Sequence, residues 1–332
     1  MRNNITITHK LFNFKRDLKL KITDIIAERK APFFTFEIIP PMRGQSVKEV
    51  ISIVEKLVPY NPGWIDVTSH PAGVVYKENS DGTIQKRIFR KRPGTLGICG
   101  IIKNRFNIEP CAHLLCNGFT KEETEDALIE LNYLGVENIL ALQGDGLNYK
   151  KTPNPERSVN HYASDLVEQV SAMKNGQFLD ELTGARPLDF CVGVAGYPEK
   201  HFMAPSLKQD MHYLKNKIEK GAEFVGTQMF FDNSKFFDFK NACIEEGITA
   251  PIIPGLKILK SVRQLTTVPK AFHIDFPDEL VEEIMNNQDH VEEIGLNWAI
   301  KQTKELIASG VSNVHFYVMN DAEKVIKVME SL

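Results

Sequence analysis

Apolar and polar positions along this chain follow two alternating regimes. Short runs rich in Val, Ile, Leu and Phe recur at 33–39, 64–68, 110–116, 138–142, 189–195, 223–229, 251–256 and 313–318, and each reads as a buried β-strand. Between them lie longer stretches with apolar residues three and four apart, among them 121–134, 164–173, 207–220, 234–245 and 291–309, which read as amphipathic helices. Thr120, three residues before Glu123, forms a candidate capping box at the start of the first. Regular alternation of strand and helix predicts βα units on a parallel sheet. Eight strand runs suit a closed (β/α)8 barrel, whereas a doubly wound open sheet usually has fewer strands and a different ligand signature. The expected fold is therefore α/β, one (β/α)8 TIM-barrel domain over 33–332 behind a helix-bearing N-terminal extension over 1–32. The stretches at about 71–107 and 146–160 carry Gly, Pro, Lys and Arg between strands and are expected to be long inserted loops.

Composition narrows the class without changing the fold. With 42% hydrophobic and 25% charged residues in 332, the chain can bury a sizeable core. A formal charge of −3 gives no global field for a polyanion, so a small-molecule ligand is expected and nucleic acid is not. Cys99, Cys111, Cys116, Cys191 and Cys243 are scattered through mostly apolar runs and read as reduced, packed thiols, which suggests a cytoplasmic setting. No stretch reaches the roughly 18–20 apolar residues of a membrane helix, so no membrane partner is expected. The basic first 30 residues are interrupted by Asp17, Asp24 and Glu28, and read as a helix packed on the barrel, not as a transit peptide.

A barrel carries its active site at the C-terminal ends of its strands, so the polar residues ending the apolar runs are the candidates. Glu37 ends the first run, Thr68 the second, His113 lies in the third, Asp145 follows the fourth and Gln228 closes the sixth. Glu37, between Phe36 and Ile38, would be costly to bury ionised and suits a proton donor; a solvent-facing edge-strand Glu is the alternative. Gly144 before Asp145 would let backbone approach a planar ligand, although Asp145 also reads as a turn or capping residue. Alternation puts Cys111 and His113 on one strand face and Cys116 on the other, so no metal is expected, and His113 is either a core or a cofactor-contacting histidine. Gly94, Gly97 and Gly100 are spaced by threes, which argues against a Rossmann nucleotide loop. Tyr162 to Asp165 starts a helix and is satisfied by ordinary capping. Lys257, after Pro-Gly-Leu, is the one strand-end lysine that could support a non-flavin TIM-barrel lyase or methyltransferase instead, the lyase through a Schiff base.

Read together, these strand ends carry a resemblance. Phe-Glu-Ile-Ile-Pro-Pro, Asp-Val-Thr, Ala-His-Leu, Ala-Leu-Gln-Gly-Asp, Tyr-Ala-Ser-Asp-Leu, Ala-Gly-Tyr-Pro-Glu, Thr-Gln-Met-Phe-Phe-Asp, Ile-Ile-Pro-Gly and His-Phe-Tyr-Val-Met-Asn, in this order, resemble the methylenetetrahydrofolate reductase family from about residue 33 to 328. The resemblance implies a flavin-holding barrel. FAD would meet Thr68, His113, Gln143, Gly144, Asp145, Tyr162, Ala163, Ala195, Tyr197, His201, Asp210 and Lys217. Glu37 matches the general acid, Asp145 a second catalytic residue, and Glu37, Asp145, Gln228, Gln264 and Tyr317 match positions that meet the folate. The implied reaction is ping-pong: NADH or NADPH reduces the flavin and leaves, and methylenetetrahydrofolate then takes the same site and becomes the methyl form. A homo-oligomer is expected. A catalytically silent folate-binding barrel is a further alternative. Two departures remove positive charge near the mouth, Gln143 where an arginine is common and Asp321 where a basic residue often stands, and they favour NADH as donor. Arg87, Arg90, Lys91 and Arg92 could restore that charge.

Overall fold

In the computed structural model, residues 21–144 and 157–332 are described. Each of the eight apolar runs forms a barrel strand: β1 (Phe33–Ile38), β2 (Ile65–Val67), β5 (Pro110–Leu115), β6 (Asn138–Leu142), β7 (Cys191–Gly196), β8 (Phe224–Met229), β9 (Ile252–Leu256) and β10 (Asn313–Met319). They are parallel and close in the order β1-β10-β9-β8-β7-β6-β5-β2. Helices α2 (Lys48–Leu57), α3 (Thr95–Phe106), α4 (Lys121–Tyr133), α5 (Ala163–Lys174), α6 (Leu207–Glu219) and α7 (Asn233–Glu245) cover the outside. Four more, α8 (Gln264–Phe272), α9 (Asp278–Asn286), α10 (Val291–Ala308) and α11 (Glu323–Glu330), complete it. The expected capping box opens α4, with Glu123 N donating to Thr120 Oγ1 at 3.2 Å and Thr120 N donating to Glu123 Oε2 at 2.9 Å.

The stretch 71–107 is not one long loop. It holds an antiparallel ribbon, β3 (Gly73–Glu78) and β4 (Ile84–Phe89), and then α3. The ribbon stands largely in solvent, so its Lys and Arg residues hide the period-two signal, although Asp81-Gly82 marks its turn with φ +79° at the glycine. Two glycines, Gly97 and Gly100, lower the helix propensity of α3, and burial of Ile98, Cys99 and Ile102 against the barrel overrides it. The stretch 146–160 falls mostly outside the described residues.

Strand alternation decides what faces inward. Phe36 and Ile38 point out to the helices and join the apolar layer around the barrel, so Glu37 between them points in. The bottom of the barrel is plugged by Phe33, Trp64, Cys111, Cys191, Phe224 and Ile253, and α1 (Ile22–Glu28) closes it from outside with Ile22 and Ile25. Ile22 N donates to Asn138 Oδ1 at 2.8 Å. Full burial of one such side chain stabilises by about 1.5–3 kcal/mol. Phe224 lies across the barrel because β7 offers a glycine there: a Cβ on Gly193 would sit 2.1 Å from the ring.

Candidate active site

Above that plug, inward side chains line a cavity of about 900 Å³ at the C-terminal strand ends, within the size of small-molecule sites. β1 supplies Glu37, β2 Asp66, β5 His113, β8 Gln228 and β10 His315 and Tyr317, while Thr68 and Lys257 stand just beyond β2 and β9. Alternation puts these groups on the inner face in two layers. The lower layer is a tight polar cluster. Asp66 Oδ2 accepts from Trp64 Nε1 at 2.8 Å, and Asp66 Oδ1 lies 3.3 Å from His113 Nε2. The same His113 nitrogen is 3.8 Å from Glu37 Oε2. His315 Nδ1 lies 3.0 Å from Thr35 Oγ1 and 3.7 Å from Asp66 Oδ2. Tyr317 donates its hydroxyl to Thr227 O at 2.6 Å and crosses β9 at Gly255, where a Cβ would meet the ring at 2.7 Å.

Burial and charge oppose each other here. Burial alone would lower the pKa of His113, but the hydrogen bond to Asp66 and the charges of Glu37 and Asp66 outweigh it and raise it. Burial would raise Asp66, yet the bond to His113 and the neighbouring imidazoles of His315 and His113 hold it below the usual carboxylate range. Both shifts favour the ionised form of Asp66 beside the charged form of His113. His315 is lowered by burial, partly offset by Asp66. His70, at the rim, is lowered to about 4 by burial and by Arg92, His113 and Arg90. Lys257 is lowered by burial, with Glu37 opposing and Lys260 reinforcing the shift.

The cavity brings together Glu37, Thr68, His113, Gln143, Gly144, Tyr162, Ala195, Tyr197, His201, Gln228 and Tyr317 of the residues singled out from sequence. Gly144 adopts φ +87°, the conformation that glycine permits, and Asn117 Nδ2 donates to its carbonyl at 2.8 Å. Tyr197 and His201 meet edge to face at 4.4 Å. Ala163, Asp210, Lys217 and Gln264 do not line it. Asp210 Oδ2 accepts from His201 N at 2.8 Å, and Lys217, lowered to about 8 by burial, donates to Ala195 O at 2.6 Å, so both support cavity residues from behind. Gln264 Oε1 caps the turn before α8, accepting from Lys260 N at 2.6 Å and Ser261 N at 3.1 Å. Asp145 lies outside the described residues.

Phe36 and Ile38 face the opposite side of the sheet from Glu37, whose Oε2 lies 3.8 Å from His113 Nε2. The notion of Asp321 as an unpaired charge that would repel a 2′-phosphate, on which the preference for NADH partly leans, is corrected: Lys260 Nζ holds its Oδ2 at 2.7 Å. The basic stretch does fold onto the mouth: Arg90 Nε donates to His70 O at 2.7 Å and Arg92 Nη1 to Pro40 O at 2.6 Å. Sequence reading passed over Asp66 and His315, although each stands two residues before a residue it named, Thr68 and Tyr317, and so shares its face. Among the described residues no group of His, Cys, Asp or Glu is arranged to hold a metal, and no helix is long and apolar enough to cross a membrane.

Fold and cavity define a (β/α)8 barrel that presents carboxyl, imidazole and amine groups to a ligand at its strand ends. The family model for methylenetetrahydrofolate reductase matches residues 21–332, and the chain belongs to that family. Methylenetetrahydrofolate reductase 1 of Schizosaccharomyces pombe is 28% identical over 300 residues, which cover 89% of this chain and 45% of the relative. The 5,10-methylenetetrahydrofolate reductase of Escherichia coli is 28% identical over 292 residues, covering 87% of this chain and 86% of the relative. The chain thus spans about half the length of the curated eukaryotic relatives it matches. Among solved structures, an uncharacterized Clostridium thermocellum protein that binds two copies of 5-methyl-5,6,7,8-tetrahydrofolic acid shares the fold, with a TM-score of 0.56 at 14% identity over 94% of this chain and 98% of its own.

Proposed function

We propose that this chain reduces 5,10-methylenetetrahydrofolate to 5-methyltetrahydrofolate, with reduced nicotinamide as donor and FAD as resident cofactor, serving the supply of methyl groups for methionine synthesis. The observation that carries this reading is Glu37, buried at the strand ends beside a proton-bearing His113 in a barrel of this family. Such a carboxyl is placed to protonate a bound folate and open its five-membered ring to the iminium that is then reduced.

The residues present fit a flavin. The cavity is of the size of a large ligand, and Asn160 Oδ1, buried in its wall, has no hydrogen-bond partner among the described residues and suits an N–H donor. When bound, the flavin would supply the redox step, accepting a hydride from the nicotinamide and passing it to the folate. Gly144 and Ala195 would admit it closely, Thr68, His113 and Gln143 would meet its polar edge, and Tyr162, Tyr197 and His201 would flank it. Asp210 and Lys217 would hold that wall in place. Gln228 and Tyr317 would orient the folate, while the role that the resemblance gives Asp145 falls outside the described residues.

NADH is the proposed donor. Gln143 is neutral, Lys260 is committed to Asp321, and Arg90 and Arg92, though folded onto the mouth, are not among the lining residues of the cavity, so none of them supplies within it the cation that a 2′-phosphate takes. Faster flavin bleaching by NADPH than by NADH at equal concentration would overturn this choice. The whole proposal is tested by the absorbance spectrum of the purified protein. Oxidised-flavin bands, bleached anaerobically by reduced nicotinamide and restored by methylenetetrahydrofolate, are expected; their absence sinks it.

Lys257 supports a second reading, a lyase that forms a Schiff base, because its amine lines the cavity and burial lowers its pKa. Borohydride trapping of a carbonyl substrate on Lys257 would favour it.

A further inference from the structure

Asp66 is the charged group at the centre of the cavity to which the proposed chemistry gives no task. It is 4% exposed, and an ionised carboxylate at that depth is costly unless its oxygens are met. Trp64 fixes one oxygen and His113 the other, with His315 beside the first. The indole bond alone would hold a neutral Asn as well. What the carboxylate adds is charge, and the atom that receives it is His113 Nε2, which also faces Glu37.

We propose that Asp66 is a positioning residue for Glu37 acting through His113: it keeps a proton on the imidazole and aims the Nε2–H between the two carboxyl groups, so that Glu37 is reprotonated from within. This rests on Glu37 being the proton donor. Once Glu37 has given its proton to the substrate, the Nε2 proton passes to Glu37 Oε2, the imidazolium becomes a neutral imidazole protonated on Nδ1, and Asp66 stays ionised. No electrons change hands. The transfer requires the 3.8 Å separation to close to hydrogen-bond reach, as such contacts do when a ligand binds. It also leaves the Nε2 lone pair against the Asp66 carboxylate, and that repulsion draws the next proton in from the cavity.

The groups around His113 leave this task to Asp66 and Glu37. His70 and His315 have lowered pKa values and Cys111 and Tyr317 raised ones, so all four are neutral near pH 7, and Lys257, the remaining cation near Glu37, is itself lowered.

The test is an NMR titration of ¹⁵N-histidine-labelled protein without substrates, with His113 assigned by His113→Asn, beside the pH profile of the folate half-reaction. Wild-type His113 should titrate above free histidine. Asp66→Asn should lower that midpoint by about one unit or more, and shift the high-pH fall of the half-reaction to lower pH by a similar amount. A wild-type His113 that titrates at or below the free value overturns the proposal even where Asp66→Asn fails to fold. So does a folded variant that moves neither readout. A wild-type protein without flavin or folate reduction would count against the proposed function instead, and the titration would still decide the link between Asp66 and His113.

Discussion

Glu37 shows how much a single residue's chemistry depends on its neighbours across strands. From sequence its flanks are Phe36 and Ile38; in the barrel its partner is His113, 76 positions along the chain (113 − 37) and two strands away. As polar residues in or closing the apolar runs, Glu37, His113 and Gln228 could be named in advance, and the family resemblance added Tyr317. Which of them would touch could not, because that depends on barrel closure and register. Replacing Glu37 by Gln keeps size and polarity while removing the transferable proton. The account predicts that the nicotinamide half-reaction persists while the folate half-reaction slows by about 10²–10⁴-fold. Equal slowing of both in stopped-flow measurements would assign Glu37 a structural role.

At the scale of elements, the eight barrel strands were legible because they are buried on both faces and read as continuous apolar runs. The β3–β4 ribbon was not, since nothing covers enough of it to leave an apolar pattern, and α3 was not, since its stability comes from packing. Close element contacts make sharper predictions. Gly193→Ala on β7 would put a methyl group 2.1 Å from the Phe224 ring, itself packed on Trp64 at 6.4 Å, so the ring cannot simply swing away. A loss of about 1–3 kcal/mol in denaturant unfolding is expected, with the cavity floor disturbed; an unchanged midpoint would show that Phe224 has room to move. The segment after β7 is tied to the one after α8 by Glu199, whose Oε2 accepts from Asp275 N at 2.5 Å while Oε1 is buried without a partner among the described residues. Burial, with Asp275 and Asp232 nearby, raises its pKa to about 7. The folded state therefore keeps a proton that the unfolded chain releases earlier. The stabilisation is fully present below the unfolded value near 4.5 and is lost as pH rises through about 7. The carboxyl is only partly buried, so the direction alone is predicted: Glu199→Gln should flatten the decline in Tm across that window. An equally steep decline in the variant would contradict it.

At the scale of the whole molecule, the barrel divides labour between its ends. Apolar side chains and α1 close the bottom, and Glu37, Asp66, His113, Lys257, His315 and Tyr317 line the cavity above it. A single such cavity is what the proposed cycle needs, because donor and folate must use the same face of one cofactor in turn. The most direct test is the initial-velocity pattern of the purified protein with NADH and methylenetetrahydrofolate varied together. Parallel double-reciprocal lines, with each substrate inhibiting competitively against the other at high concentration, are predicted. Intersecting lines, or no formation of 5-methyltetrahydrofolate at all, would contradict the account.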